Sequence, residues 1–390
     1  MGLPALTKIA QSLHCSDNAS ALTLSLFLAG FALGPLFCGP LSDRFGRRPV
    51  LVSGAALFTL AGIACALSSN IETLLFWRLI AGCGAGAASV LVMAIVRDGF
   101  EGHEARTKLS YVSIVRTLAP MIAPSIGAVV LSFADWRTVY GTIAFCGLMV
   151  TSIAALGLEE SHPREKRTGI SVKELWSNYA KVLRHPISCG YAFVNALNFG
   201  CIFSYVSGSP LVMMEIIHVP AKVFGGLFAM TAFGITIGAF VNGKLSKRAL
   251  SHHIPLIAGL TISFLSCLTL LSFSLLGMNR LELLMPFLVL TTFSVGLVAP
   301  NATHGTLHPL PEIAGLAAAV LSAMQMIAGA LASALVAYWY NGTSTAAMTG
   351  SMAMFSTLAL LCYALNVYPR EKRLELAAKE KQAAVTSGQN

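Results

Sequence analysis

Charged residues are scarce in this 390-residue chain. Asp, Glu, Lys and Arg make up 11% of it, against about 25% in an ordinary soluble domain. A soluble fold so poor in charge could not clothe its surface. With 55% hydrophobic residues and a mean hydropathy of +0.72, the composition is that of an integral membrane protein. Other absences narrow the reading. The nine cysteines (15, 38, 65, 83, 146, 189, 201, 267 and 362) form no CxxC pair. Most fall inside apolar runs, where a thiol packs as a small hydrophobe, so neither a disulfide framework nor a zinc site is expected. The net charge is +9, yet no basic tract is interleaved with aromatics, which argues against nucleic acid. In GAFVNGKL (238–245) the residue after Lys244 is Leu245, not Ser or Thr, so the stretch is no phosphate loop. His304 and His308 are flanked by Gly305 and Pro309 and read as loop residues rather than metal ligands. GCGAG (82–86) reads as helix packing. No nucleophile–base pair or metal cluster lies within the apolar runs, so no metal, no cofactor and no enzyme is expected.

What the chain does contain is long apolar runs, at about 20–38, 50–68, 73–96, 109–133, 138–158, 188–210, 222–243, 255–277, 282–303, 314–339 and 345–368. Each reaches the ~20 residues that cross a hydrocarbon core of ~30 Å. None has the period-2 alternation of a barrel strand, and lipid offers the backbone of an isolated segment no partner except its own helix. The reading is an all-α polytopic membrane protein with eleven full helices. The leading MGLPALTKIAQSL resembles the end of an apolar helix but is too short to span, and it lacks the charged start of a signal peptide.

Lysine and arginine mark one side. If the turn at 39–49 is cytoplasmic, the loops on that side hold Arg44, Arg47 and Arg48; Arg97, Arg106 and Lys108; six within 159–187; Lys244, Lys247 and Arg248; and five in the tail. That is 20 of the 26. The other side holds Arg137, Lys222 and Arg280, while Arg78 and Arg116 lie within helices and Lys8 in the leading fragment. The asymmetry is a positive-inside signal, with a lesser contribution to attraction for anionic lipid. Residues 159–187 form the longest polar stretch inside the chain. Ser171 and Glu174 have capping-box spacing. Val172, Leu175, Trp176, Tyr179, Val182 and Leu183 follow at helical spacing, giving an amphipathic helix on the cytoplasmic face; a flexible linker is the alternative.

The chain repeats itself at a shift of 204. Gly30, Gly34 and Gly39 fall on Gly234, Gly238 and Gly243, and GPLSDR (39–44) falls on GKLSKR (243–248). Two similar halves joined by a cytoplasmic linker point to a carrier built from parallel repeats. By the same offset, the helix beginning near 188 has its counterpart before Met1, so the complete gene product is expected to start upstream and to have twelve helices.

These residues resemble the major facilitator superfamily, and within it the Bcr/CflA branch of twelve-helix drug:proton antiporters. GPLSDRFGRRP (39–49) is similar to the superfamily's loop motif between helices two and three. FWRLIAGCGAGAA (76–88) resembles the helix-four motif with its intramembrane arginine. APMIAPSIG (119–127) resembles the antiporter motif of helix five, and VRDGF (96–100), the WR pair at 136–137 and SGSP (207–210) match the branch as well. In that branch the first helix carries an aspartate just before Met-x-Leu-Pro-Ala; here MGLPAL opens the chain. The resemblance implies a major facilitator fold of two pseudo-repeated six-helix bundles, with helix one represented by a remnant. It divides the chain into a first bundle (1–158), a linker (159–187), a second bundle (188–368) and a cytoplasmic tail (369–390).

Candidate site residues follow. Gly39, Asp43, Arg44, Gly46, Arg47 and Arg48, with Arg97 and Asp98, form a candidate gate on the cytoplasmic face. The glycines would allow close approach, and Asp43 would pair with Arg47 or Arg97, or sit at a helix N-terminus of the other half. The alternative is topology anchoring by snorkelling arginines. Arg78 is costly in a membrane and needs a partner or a wet cavity; the resemblance implies a part in proton coupling, and snorkelling is the alternative. Pro120, Pro124 and Gly127 bend or thin helix five. Asn195, Asn198, Tyr205 and Gln325 are polar groups inside apolar runs that would either line a substrate cavity or hydrogen-bond between helices, with Met324 and Met326 as an adaptable apolar wall. The expected activity is export of small amphipathic drugs or antibiotics, driven by the proton gradient and requiring no ATP site. A metabolite exporter is the alternative, and a non-transporting receptor a remote one. The expected setting is the cell inner membrane, as a multi-pass monomer with a cytoplasmic C-terminus, and with small-molecule substrate and lipid bilayer as partners.

Overall fold

The computed structural model describes residues 2, 5–100, 104, 108, 112, 115, 123, 126, 127, 129–161, 172–247 and 253–373; at 36, 97, 172–176, 178, 221 and 222 it describes the backbone alone. In chain order the helices are α1 (Leu6–Ser12), α2 (Asp17–Phe45), α3 (Arg47–Leu67), α4 (Ile71–Gly99), α5 (Trp136–Gly157), α6 (Val172–Arg184), α7 (Pro186–Pro210), α8 (Ala221–Lys247), α9 (His253–Leu275), α10 (Leu281–Leu307), α11 (Ala314–Trp339) and α12 (Ala346–Cys362). Ten of them are long and apolar enough to cross a membrane. The run expected over 109–133 lies mostly outside the described residues. Short polar side chains start several helices, as N-cap chemistry requires. The Ala19 N–H donates to Ser16 Oγ at α2, the Thr73 N–H to Asn70 Oδ1 at α4 and the Trp136 N–H to Asp135 Oδ1 at α5. Large side chains such as Phe145 (61% exposed) and Leu156 (89%) point outward, which suits lipid and not water.

The repeat is visible in the packing. Helix α2 lies against α4, and α3 against α4 and α5; in the second copy α8 lies against α10, and α9 against α10 and α12. Lipid supplies no hydrophobic force to press helices together, so close van der Waals contact must hold them. Glycine makes that contact possible. A Cβ on Gly34 would lie 2.7 Å from the Ala87 nitrogen, and one on Gly82 or Gly86 would run into the α2 backbone at Phe27 or Phe31. In the second copy, Gly234 and Gly238 of α8 meet α10 in the same way, and Gly296 of α10 meets the α8 backbone. GCGAG is helix packing.

Among the described residues, the most extensive contact between the repeats is that of α2 with α11. Its buried apolar cluster unites Ala21 with Leu211, Ala337, Tyr340 and Ala347, at the end opposite the arginine-rich turn. The face of α2 that carries Ala21 returns every seven residues or so, through Leu28 and Ala32 to Gly39. Ala21, Leu28 and Ala32 are buried, while a Cβ on Gly39 would meet nothing within 4 Å. Among the described residues, the helices are therefore closed at one end and parted at the basic end. Gly39 does not serve close approach in this conformation, contrary to the sequence expectation, because the neighbour it would admit is splayed away. Helix α6 covers the start of α11, with Val182 and Tyr179 against Ala317, Val320, Leu307 and Leu310. Ser171, half of the expected capping box, lies outside the described residues.

Candidate functional site

The arginine-rich turn is hardly a loop. Helix α2 continues through Pro40 to Phe45 and α3 begins at Arg47, so a single residue, Gly46, makes the turn. Its φ of +103° and ψ of 155° lie in a region that only glycine enters without strain. Gly46 thus serves backbone freedom. The tight turn brings Arg47 into the centre of a network. Its Nη1 lies 2.6 Å from Asp43 Oδ1 and donates to Ser42 Oγ at 2.5 Å, and its Nε donates to Asp98 Oδ2 at 2.9 Å. The Arg47 backbone N–H donates to Glu160 Oε1 at 2.9 Å, and Arg48 Nη2 donates to the Ala155 carbonyl at 2.6 Å. Four parts of the chain (α2, α3, α4 and the stretch after α5) are tied at one point. Arg44 lies over the Phe45 ring, 5.3 Å from its centre. The Arg97 side chain is outside the described ones.

Arg78 sits in an aromatic box. Its guanidinium carbon is 4.3 Å from the centre of Phe27 and 5.5 Å from that of Tyr140, and its Nε donates to the Thr23 carbonyl at 3.2 Å. Among the described residues it has no ion pair. Each cation–π contact contributes ~0.5–2 kcal/mol, against ~2.5–3.5 kcal/mol for placing an arginine at a helix centre, so the box meets much of the cost. The leading residues border it: a Cβ on Gly2 would lie 3.6 Å from the Tyr140 hydroxyl.

Three of the four polar candidates join helices of the second repeat. Gln325 Nε2 of α11 donates to Asn195 Oδ1 of α7 at 3.1 Å, and Asn195 Nδ2 donates to Thr303 Oγ1 of α10 at 3.0 Å. The Tyr205 hydroxyl shares a 2.7 Å hydrogen bond with Thr231 Oγ1 of α8. Asn198 is buried, and Gln325 alone of the four is half-buried. In this conformation the interhelical alternative describes Asn195, Tyr205 and Gln325. Gly127 is buried; Pro120, Pro124 and Arg116 lie outside the described residues. His304 belongs to the last turn of α10 rather than to a loop, with its ring 5.0 Å from that of His308. GAFVNGKL lies within α8.

Sequence reasoning missed Glu160, Ser42, Phe27 and Tyr140. Tyr140 had one signal, its place four residues after Trp136, on whose ring it packs edge-on. Ser42 lies within the GPLSDR motif itself, five residues before Arg47, whereas Glu160 and Phe27 are brought in by tertiary contacts with no local signature.

The model of the Major Facilitator Superfamily matches residues 1–333. The chain is 31% identical over 365 residues, 93% of its length and 90% of the other's, to an uncharacterised MFS-type transporter, YdgK, of Bacillus subtilis (strain 168). It is 28% identical over 366 residues to a bicyclomycin resistance protein homologue of Haemophilus influenzae, covering 93% of this chain and 90% of that one. It is also 28% identical over 339 residues to the multidrug resistance protein MdtL of Escherichia coli O127:H6, covering 85% and 82%. Among solved structures it resembles the human organic anion transporter MFSD10 (TM-score 0.66, 17% identity, 93% of this chain and 89% of that one). A D-xylose–proton symporter gives 0.68 at 16% identity, over 92% and 93%. At these identities the solved structures establish the fold alone.

Proposed function

This chain belongs to the major facilitator superfamily, a family of multi-pass membrane transporters, and from that premise we propose that it exports small amphipathic drugs or antibiotics in exchange for protons. The observation that carries the drug reading is its likeness, over nearly the whole chain, to two proteins named for drug resistance. Residues 1–158 and 188–368 are the two halves that rock, joined by the linker 159–187. The basic end and the tail (369–390) face the cytoplasm of a bacterial inner membrane, by the positive-inside asymmetry. In that orientation the contact of α2 with α11 closes the outer end, and the protein described here faces inward. The network of Asp43, Arg47 and Asp98 acts when the basic end closes. Gln325, half-buried between α7 and α11, borders the substrate path. Each proton entering down 100 mV supplies ~2.3 kcal/mol from the potential.

A pump-deficient strain expressing the complete gene, grown across a panel of antibiotics and metabolites, tests the reading. Raised resistance to at least one amphipathic antibiotic, abolished by an uncoupler, is expected. A growth advantage confined to excess metabolite would move the assignment to metabolite export. No change on any compound would overturn it.

Arg78 is proposed as part of the proton-coupling machinery. Arg78→Lys keeps the charge but loses the planar face that lies on Phe27 and Tyr140. Normal insertion with an export rate reduced about tenfold, the equivalent of ~1.4 kcal/mol, is expected in everted vesicles. An undiminished rate would assign Arg78 to snorkelling.

A further inference from the structure

The closed end of the α2–α11 contact holds two carboxylates on opposite sides of the seam. Asp17 is the first residue of α2, in the first repeat. Glu215 lies in the π-helical turn Leu211–Ile216 that follows α7, in the second. The Tyr340 hydroxyl donates to Glu215 Oε2 at 2.7 Å. Tyr340, Leu211 and Ile216 pack in the same cluster as Ala21, one turn along α2 from Asp17. Asp17 and Glu215 are each half-buried, and among the described side chains neither is paired with a lysine, arginine or histidine. The other titratable groups near this end are His14 and His218, which are exposed, and the half-buried Cys15, whose thiol is pushed up by burial and by the charge of Asp17; the turn into α12 adjoining Tyr340 (341–346) contributes only uncharged side chains. Burial, the Glu215 carboxylate and the charge of Asp17 together hold the Tyr340 phenol well above its ordinary range, so its proton stays in place to bond Glu215.

We propose that Asp17 and Glu215 form a proton-sensitive gate at the outer end of the carrier, with Tyr340 as the positioning residue that orients Glu215. The proposal rests on the alternating-access reading above. When both carboxylates are ionised they repel across a partly desolvated seam, where like charges are poorly screened. Opening separates and hydrates them. Protonation from the outer side removes the repulsion and lets Ala21 and Ala337 pack together. An outward-open carrier would thus close and return mainly after taking up protons, which would couple the empty return step to the gradient.

The full-length protein in lipid nanodiscs, without drug, provides the test. Hydrogen–deuterium exchange over residues 17–24 of α2 and 334–339 of α11 would be followed from pH 5.5 to 8.5 and corrected for intrinsic rates. The wild type is expected to lose protection at least fivefold toward alkaline pH. Asp17→Asn and Glu215→Gln should each weaken that response, and the double variant should stay protected throughout. Tyr340→Phe removes a donor to the ionised carboxylate, so the midpoint should move to higher pH with the response retained; a merely structural tyrosine would lower protection equally at every pH. A wild type without pH response, or a double variant that responds like wild type, would overturn the gate. If the double variant does not insert, the single variants decide by the same criterion. Because this readout needs no substrate, its failure is separate from failure of the resistance test.

Discussion

Gly34→Val is expected to abolish the folded protein, seen as loss of the monodisperse peak in fluorescence-detected gel filtration. A Cβ at Gly34 would lie 2.7 Å from the Cys83 carbonyl oxygen and 2.8 Å from the Gly86 carbonyl carbon. These are backbone atoms, so no side-chain rotation relieves the clash. Ordinary overpacking costs ~1–3 kcal/mol. Here relief requires two rigid helices to part along the whole contact, because Gly30 on the same face and Gly82 and Gly86 on the facing one are equally tight. In lipid nothing drives the parted helices to repack. Gly238→Val should behave alike, since its Cβ would collide with the α10 backbone at Phe293. Gly141→Ala is the control, with nothing within 4 Å, and should leave the peak unchanged. A Gly34→Val protein as monodisperse as wild type would refute the packing argument.

Asp43→Asn is expected to lower export at least tenfold while leaving insertion and thermal stability nearly unchanged. Asp43 is 45% exposed in its side chain, and a pair of that kind contributes ~0.2–1 kcal/mol. Arg47 would keep its contact with Asp98, and its backbone N–H would keep Glu160, so this conformation loses little. A tenfold loss corresponds to ~1.4 kcal/mol, more than the pair supplies here. The excess would have to come from a partner that Asp43 meets only when the basic end closes. Gly39, on the same face one turn earlier and now in open space, marks where that partner would arrive. Transport in everted vesicles decides, and an unchanged rate would leave the turn with topology marking alone.

The membrane class, the helical character and the twofold repeat were all legible in the sequence. Each depends on composition or periodicity, which lipid enforces strictly by denying the backbone any outside partner. The asymmetry of lysine and arginine was equally legible, because it is a count over loops. Even the pairing of Gly30 and Gly34 with Gly234 and Gly238 could be seen, since a spacing of four places small residues on one helix face. What those glycines touch could not be seen.

Tertiary structure alone decided the rest. It turned a presumed loop into two helix ends meeting at Gly46, because the helical reach of α2 past Pro40 depends on what α3, α4 and Glu160 offer at its end. It gave Arg78 two rings and a carbonyl from residues more than 50 positions away, and it spent Asn195, Tyr205 and Gln325 on bonds between helices. Above all it set the conformation, closed at Ala21 and open at Gly39. Those two residues share one face of one helix, so the local pattern is the same at both. Which of them is covered depends on how the two repeats tilt against each other, and one chain must be able to adopt both tilts in order to work.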